Sequence, residues 1–204
     1  VTRPFGAAPV GAIAGGLNGA ISGARATYDW RRVGGVGAFV VDSTWSLVNT
    51  TAALALHGAS ALRGDPGYVD DLSRRRNRHV YARGFTLRRG FALSMGNVVT
   101  GAGEVDVSTT RGRRRRQLVD RHEGLHVTQA RALGPLFPVL YGGWMLGGAV
   151  YGTALWVRHR DQPWFRLVEG AAYYRNPFEV AAYRRDGAWP PSRLHPLLGV
   201  TRRR

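Results

Sequence analysis

The chain contains no cysteine and no lysine. Without thiols it can form no disulfide, no thiolate-ligated zinc or iron–sulfur site, and no cysteine nucleophile. The redox compartment is left undecided. Because lysine is absent, all 29 basic residues are arginines, set against 13 acidic ones for a formal charge of +16. A surplus of that size ordinarily marks a negatively charged partner, either nucleic acid or an anionic membrane. Together with the abundance of Ala and Gly, the exclusive use of arginine points to a biased base composition behind part of it, and nucleic acid is not the expected partner. The opening residues, Val1 to Gly6, hold one Arg and no apolar core run, so no secretory signal is legible and export by a standard route is not expected.

What is present is His122-Glu123-Gly124-Leu125-His126, within a strongly helical run from about Arg113 to Leu133. Residues four apart on a helix stand one turn above each other, so both imidazoles share a face and the glutamate sits beside them. Leu118, His122, Leu125, His126, Gln129 and Leu133 fall on one stripe, while Arg114, Arg115, Arg121 and Arg131 lie mostly elsewhere. The histidines therefore point inward. Two imidazoles and a third protein ligand are what a catalytic zinc uses, with the fourth position left to water whose pKa falls to about 7. Glu123 stands where a general base would take that proton. The competing reading is a pair of core histidines with no metal.

The rest of the chain frames this helix. Pro4 to Ala24 carries no charge, with Gly11, Gly15, Gly19 and Gly23 at four-residue spacing; as a helix it presents a smooth face for close approach in a membrane or an oligomer, and otherwise it is a flexible leader. Val33 to Leu62 is apolar and suits one or two buried helices. Arg63 to Gly67 reads as a turn, and Asp70, Asp71, Arg74, Arg75, Arg76 and Arg78 as a solvated charged surface. Between His79 and Val107, short apolar runs at Phe85 and Leu87, at Phe91, Leu93 and Met95, and at Val98 and Val99 are punctuated by glycines, which predicts two or three strands joined by tight turns. Such a sheet can offer an edge strand to an extended peptide. Ser108, Thr109 or Thr110 is the expected N-cap of the motif helix. Arg113 to Arg116 forms a basic block unfavourably placed for the helix dipole and expected to be solvated. Gly134-Pro135 ends the helix.

A run without charge follows, Ala132 to Val157, about 26 residues and long enough to cross a bilayer once. A single crossing would put the histidines and any later ligand on opposite sides. The metal reading therefore predicts a short hairpin turning at Gly142-Gly143 or Gly147-Gly148, dipping into a membrane interface or packing as a core element. Trp144, Tyr151 and Trp156 suit the head-group boundary.

The third ligand must come from outside the motif helix. A further histidine six residues after His126 would mark the metzincin pattern, but that position is Ala132. Candidates are Glu169, Glu179, Asp161, Asp186, His159 and His195. Glu179 is preferred, because Asn176-Pro177 opens a fresh helix just before it and Ala181 and Ala182 permit close packing; Glu169 is next. The motif, the hydrophobic insertion and then Glu179-Val-Ala-Ala182 together resemble the gluzincin type of metallopeptidase, most nearly the CAAX prenyl protease and heat-shock membrane protease family, over roughly residues 90–187. The resemblance implies a zinc peptidase with His122, His126 and Glu179 as ligands and Glu123 as general base. It departs at Tyr183, where that family usually has Asp. The chain also resembles small bacterial proteins with a similar helix, some associated with toxin modules.

The expected fold is α+β, a mainly helical zincin-like domain with a small antiparallel sheet before the motif helix. The expected organisation is a glycine-rich leader (1–32), a catalytic domain (33–187) with the hydrophobic insertion (132–157), and a Pro- and Arg-rich tail (188–204). The expected function is a membrane-associated, Zn2+-dependent peptidase acting on a peptide or protein substrate, with Tyr173, Tyr174 or Tyr183 donating to the oxyanion. Oligomerisation through the leader is a further possibility. The alternative is a non-enzymatic membrane or interaction protein whose motif is structural or degenerate.

Overall fold

The structure, a computed structural model, describes residues 7–88 and 90–198; Val1 to Gly6 and the last six residues of the tail lie outside them. The fold is α+β and mainly helical, in two compact units, Val1–Pro135 and Leu136–Arg204.

The first unit runs α1 (Ala7–Ala24), α2 (Val33–Ser43), α3 (Leu47–Ala61) and the short α4 (Asp70–Arg75), then β1 (His79–Val80), β2 (Leu93–Met95) and β3 (Val98–Thr100). The motif helix follows as α5 (Thr110–Leu118), a π-helical turn (Val119–Glu123) and α6 (Gly124–Leu133). The sheet order is β1-β3-β2, and it is mixed where an antiparallel one was expected. β2 and β3 form a hairpin across Gly96-Asn97, with Gly96 in the left-handed region (φ +52). β1 reaches β3 only after the excursion through residues 81–97, and a connection of that length lets it lie parallel. The expected run at Phe85 and Leu87 joins no strand. Side chains tie its backbone instead, Phe85 N donating to Ser60 Oγ (3.2 Å) and Thr100 Oγ1 donating to the Phe85 carbonyl (2.5 Å).

Both faces of β3 are covered, which is why it reads as an unbroken apolar run. Val98 packs with Ala53 and Leu56 of α3, whereas Val99 packs with Leu72, Val119 and Val127 beneath the motif helix. The glycines of α1 do permit close approach, and the approach is made within the chain: a Cβ on Gly11 would sit 3.3 Å from Leu47, one on Gly19 3.7 Å from Phe39. A buried polar chain crosses the unit. Asn97 donates to Asn18 Oδ1 (2.9 Å) and Tyr28 Oη (3.0 Å), Tyr28 donates to Asp42 (2.8 Å), and Arg131 of α6 closes a two-pronged pair on Asp42 (2.9 and 2.7 Å). At the C-terminal end of α6, Ser46 donates to the Ala130 carbonyl, Trp45 to that of Ala132 and Asn49 to that of the capping Gly134, which covers carbonyls that the helix end exposes. The motif helix is thus fixed along its length.

The second unit holds α7 (Leu136–Arg158), α8 (Trp164–Glu169), a second π turn (Gly170–Tyr174), α9 (Pro177–Asp186) and a 3-10 turn (Pro196–Leu198). The expected hairpin in the uncharged run does not form: α7 is one unbroken helix of 23 residues. Two of its glycines serve close packing, since a Cβ on Gly148 would lie 2.5 Å from Ala172 Cα and one on Gly152 2.7 Å from the Leu167 carbonyl. The pairing of 152 with 167 and of 148 with 172 makes the two segments antiparallel. No single described helix is both long and apolar enough to cross a membrane.

Candidate metal centre

Thr109 caps the motif helix, its hydroxyl accepting from Gly112 N (2.9 Å), and the helix stops at Gly134 as expected. Between these ends the backbone widens into the π turn Val119–Glu123, which carries His122 and Glu123. Single π turns inside helices recur at functional sites because the extra residue re-aims the side chains that follow. Here the Gly124 N–H reaches back to the Val119 carbonyl. The rings of His122 and His126 then stand with centroids 5.1 Å apart at 76°, and both are buried.

His126 and Glu123 each have a partner that sets their orientation. His126 Nδ1 lies 2.9 Å from Gln129 Oε1. An amide oxygen only accepts, so Nδ1 carries the proton and Nε2 presents its lone pair. Glu123 is 7 % exposed, and its Oε2 accepts from the hydroxyl of Ser94 on β2 (2.6 Å). Below the π turn lies Arg78, only 1 % exposed and paired with Asp120 (2.9 Å). Burial lowers its pKa to about 10, partly offset by Asp120 and by Glu123, so it remains a cation at neutral pH. A Cβ on Gly124 would fall 2.3 Å from Arg78 Nη1, and this close approach explains a glycine inside the motif.

Arg74, Arg75, Arg76, Arg113 and Arg114 are exposed, as expected of solvated clusters, but other members depart from that state. Arg78 is buried beneath the motif. Arg115 donates to the carbonyls of Ala102 (2.6 Å), Gly101 (2.5 Å) and Gly90 (3.0 Å), Arg113 to those of Val107 and Ser108, and Arg116 pairs with Asp71. These contacts offset the unfavourable position of the block near the helix N-terminus.

In the second unit, Asn176 caps α9 through Phe178 N (3.0 Å) with Pro177 in the first turn, as the dipeptide predicts. Glu179 is therefore in the first turn, 2 % exposed, and accepts from the Tyr141 hydroxyl of α7 (2.8 Å). Tyr173, expected at the oxyanion, also engages Glu179; burial first, then the carboxylate's charge, raise its pKa above the ordinary tyrosine range. Tyr183 lies about one turn beyond Glu179 along α9, its ring 6.0 Å from that of Tyr174. Of the other candidates, Glu169 is half-buried at the end of α8, Asp161 is exposed, His195 meets Gln162 (3.0 Å), and Asp186 is buried at the end of α9.

Sequence reasoning did not assign Ser94, Arg78 or Tyr141, and gave Gln129 only a place on the buried stripe. Gln129 is three residues from His126, a spacing that brings helical neighbours into contact. Ser94 and Arg78 reach the motif, and Tyr141 reaches Glu179, from distant parts of the sequence and leave no local signal. No family model, no curated protein and no solved structure matches this chain.

Proposed function

We propose that the chain is a zinc-dependent peptidase associated with a membrane surface, with His122, His126 and Glu179 as ligands, Glu123 as general base and Tyr183 as a donor to the oxyanion. The observation that carries this reading is the motif itself, two buried imidazoles on one helical face with a buried glutamate beside them whose carboxylate is already held by Ser94. Supporting it, His122 and His126 in the first unit and Glu179 in the second are each buried. The donor set fits: two imidazoles and a carboxylate favour zinc, and Gln129 and Tyr141 supply the outer hydrogen bonds such ligands need.

Zinc in such a site acts as a Lewis acid and lowers the pKa of water to about 7. Glu123 takes the proton from the attacking water and delivers it to the leaving amine. Ser94 keeps one carboxylate oxygen occupied and thereby orients the other. Membrane association is supported by large exposed apolar residues along α7, among them Leu146 and Val150 at 73 % and 72 %, followed by Arg158 and by Arg160 stacked 3.8 Å over the Trp156 ring.

Purified protein should hold roughly one zinc per chain by elemental analysis. His122→Ala, His126→Ala and Glu179→Ala should each lose it, and Glu169→Ala should not. Glu123→Gln should keep the metal and fail to cleave casein or a peptide library. A metal-free wild type would sink the enzymatic reading. A wild type that binds zinc and cleaves nothing would favour the interaction protein, for which the exposed face of α7 is the specific observation.

A further inference from the structure

We infer that the second unit carries a groove for a single alkyl chain with an anionic head, the chemistry of a fatty acid. The groove runs between α7 and the π turn Gly170–Tyr174 and encloses about 570 Å³. Val139, Leu140, Trp144 and Tyr151 form its walls, Ala171 lies at its base, and Arg175 is its only charged lining residue. A volume of this size with an apolar lining and few polar groups is characteristic of small-molecule sites.

The glycines of α7 argue that the groove is not incidental. Gly148 is required by packing, since its Cβ would strike Ala172, but a Cβ on Gly143 or Gly147 would meet nothing within 4 Å. Each of these two weakens the helix relative to Ala, and neither admits a neighbouring segment. Both line the groove, one turn apart, and their missing side chains keep it open.

The lining also selects the occupant. Peptide, sugar or nucleotide would leave amides and hydroxyls unsatisfied along apolar walls, whereas an alkyl chain has no such groups. From Val139 to Tyr151 the helix provides about 18 Å of trough at 1.5 Å per residue, the reach of a long alkyl chain. The antiparallel pairing that sets Gly148 against Ala172 puts Arg175, three residues on, toward the Trp144 and Leu140 end. Its exposed guanidinium has no ion-pair partner among the described residues and is suited to hold a carboxylate through two parallel hydrogen bonds. One apolar trough with one cation at its end complements one tail with one anionic head. None of these side chains is a proposed metal ligand, so this site and the metal centre stand or fall separately.

The test is calorimetric titration of the full chain with tetradecanoate below its micellar concentration. Saturable binding at one site is expected, tightening two- to fourfold per methylene from decanoate to tetradecanoate. The Gly143→Leu/Gly147→Leu double variant should bind at least tenfold more weakly while its melting temperature is unchanged or higher and its zinc content unchanged. Arg175→Gln should weaken tetradecanoate and leave tetradecanol unaffected. Absence of saturable binding, or a double variant that binds like wild type, would overturn the proposal. So would undiminished co-sedimentation of the double variant with phosphatidylcholine/phosphatidylglycerol vesicles in the absence of free tetradecanoate binding, which would identify the face as a bilayer contact.

Discussion

The guanidinium of Arg78 determines how tightly the motif helix can sit on the segment beneath it. Its Nη1 occupies the space a Cβ on Gly124 would need, and the pair with Asp120 keeps it from moving away. Gly124→Ala should therefore lower stability by about 1–3 kcal/mol through overpacking, seen as a lower urea midpoint; an unchanged midpoint would mean that Arg78 swings aside freely. The outer partners of the proposed ligands make a second test. Gln129→Ala and Tyr141→Phe should each weaken zinc by about 10- to 100-fold in chelator competition without unfolding the chain. At this scale the sequence was legible where chemistry depends on spacing along one helix, as with His122, Glu123 and His126. It was illegible at Arg78, whose neighbours Arg74, Arg75 and Arg76 make it look like one more surface charge.

The two long glycine-bearing helices show how an element can follow its expected pattern and still differ in use. In α1 three of the four glycines at four-residue spacing, Gly11, Gly15 and Gly19, face α2 and α3, while Gly23 faces open space. In α7 the paired glycines looked like break points, yet the helix is continuous, because packing of the α8 and π-turn backbone against Gly148 and Gly152 outweighs a propensity cost of about 1 kcal/mol per glycine. The glycines of α7 should consequently respond in opposite directions. Gly142→Ala, with open space at its Cβ, should raise stability by up to about 1 kcal/mol. Gly148→Ala, pressed against backbone, should lower it by about 1–3 kcal/mol. Thermal unfolding of the two variants checks this, and equal responses would contradict the packing described for α7. The π turns were not legible, since one inserted residue in a hydrogen-bond ladder is stabilised by what packs against it.

For the whole molecule, acid is the expected weakness. His57 of α3 and His79 of β1 meet edge to face, with ring centroids 4.6 Å apart, beside Tyr68, Tyr81, Ser22, Thr27 and Arg25. Burial chiefly, with the nearby positive charge of Arg25, lowers their pKa values to about 4 and about 3. The unfolded chain then binds protons near pH 6.5 that the folded chain refuses, so this stability is complete above about pH 6.5 and falls as pH drops toward 4 and then 3. Urea midpoints should decline over that window, and His57→Gln should flatten the decline. A wild-type profile flat from pH 7 to 4 would show that both imidazoles reach solvent when protonated.

Taken alone, the sequence determined the period of the motif helix, a cap for it among Ser108, Thr109 and Thr110, the helix start at Asn176-Pro177, the stop at Gly134, the inward face of the histidines and the first-turn position of Glu179, because each depends on neighbours within a turn or two of chain. Only the tertiary structure decided the parallel pairing of β1, the continuity of α7, the burial of Arg78 and the hold of Ser94 on Glu123. Those outcomes depend on groups tens of residues apart competing for the same space and the same hydrogen bonds, a competition that is settled when the elements pack and has no signature in local residue order.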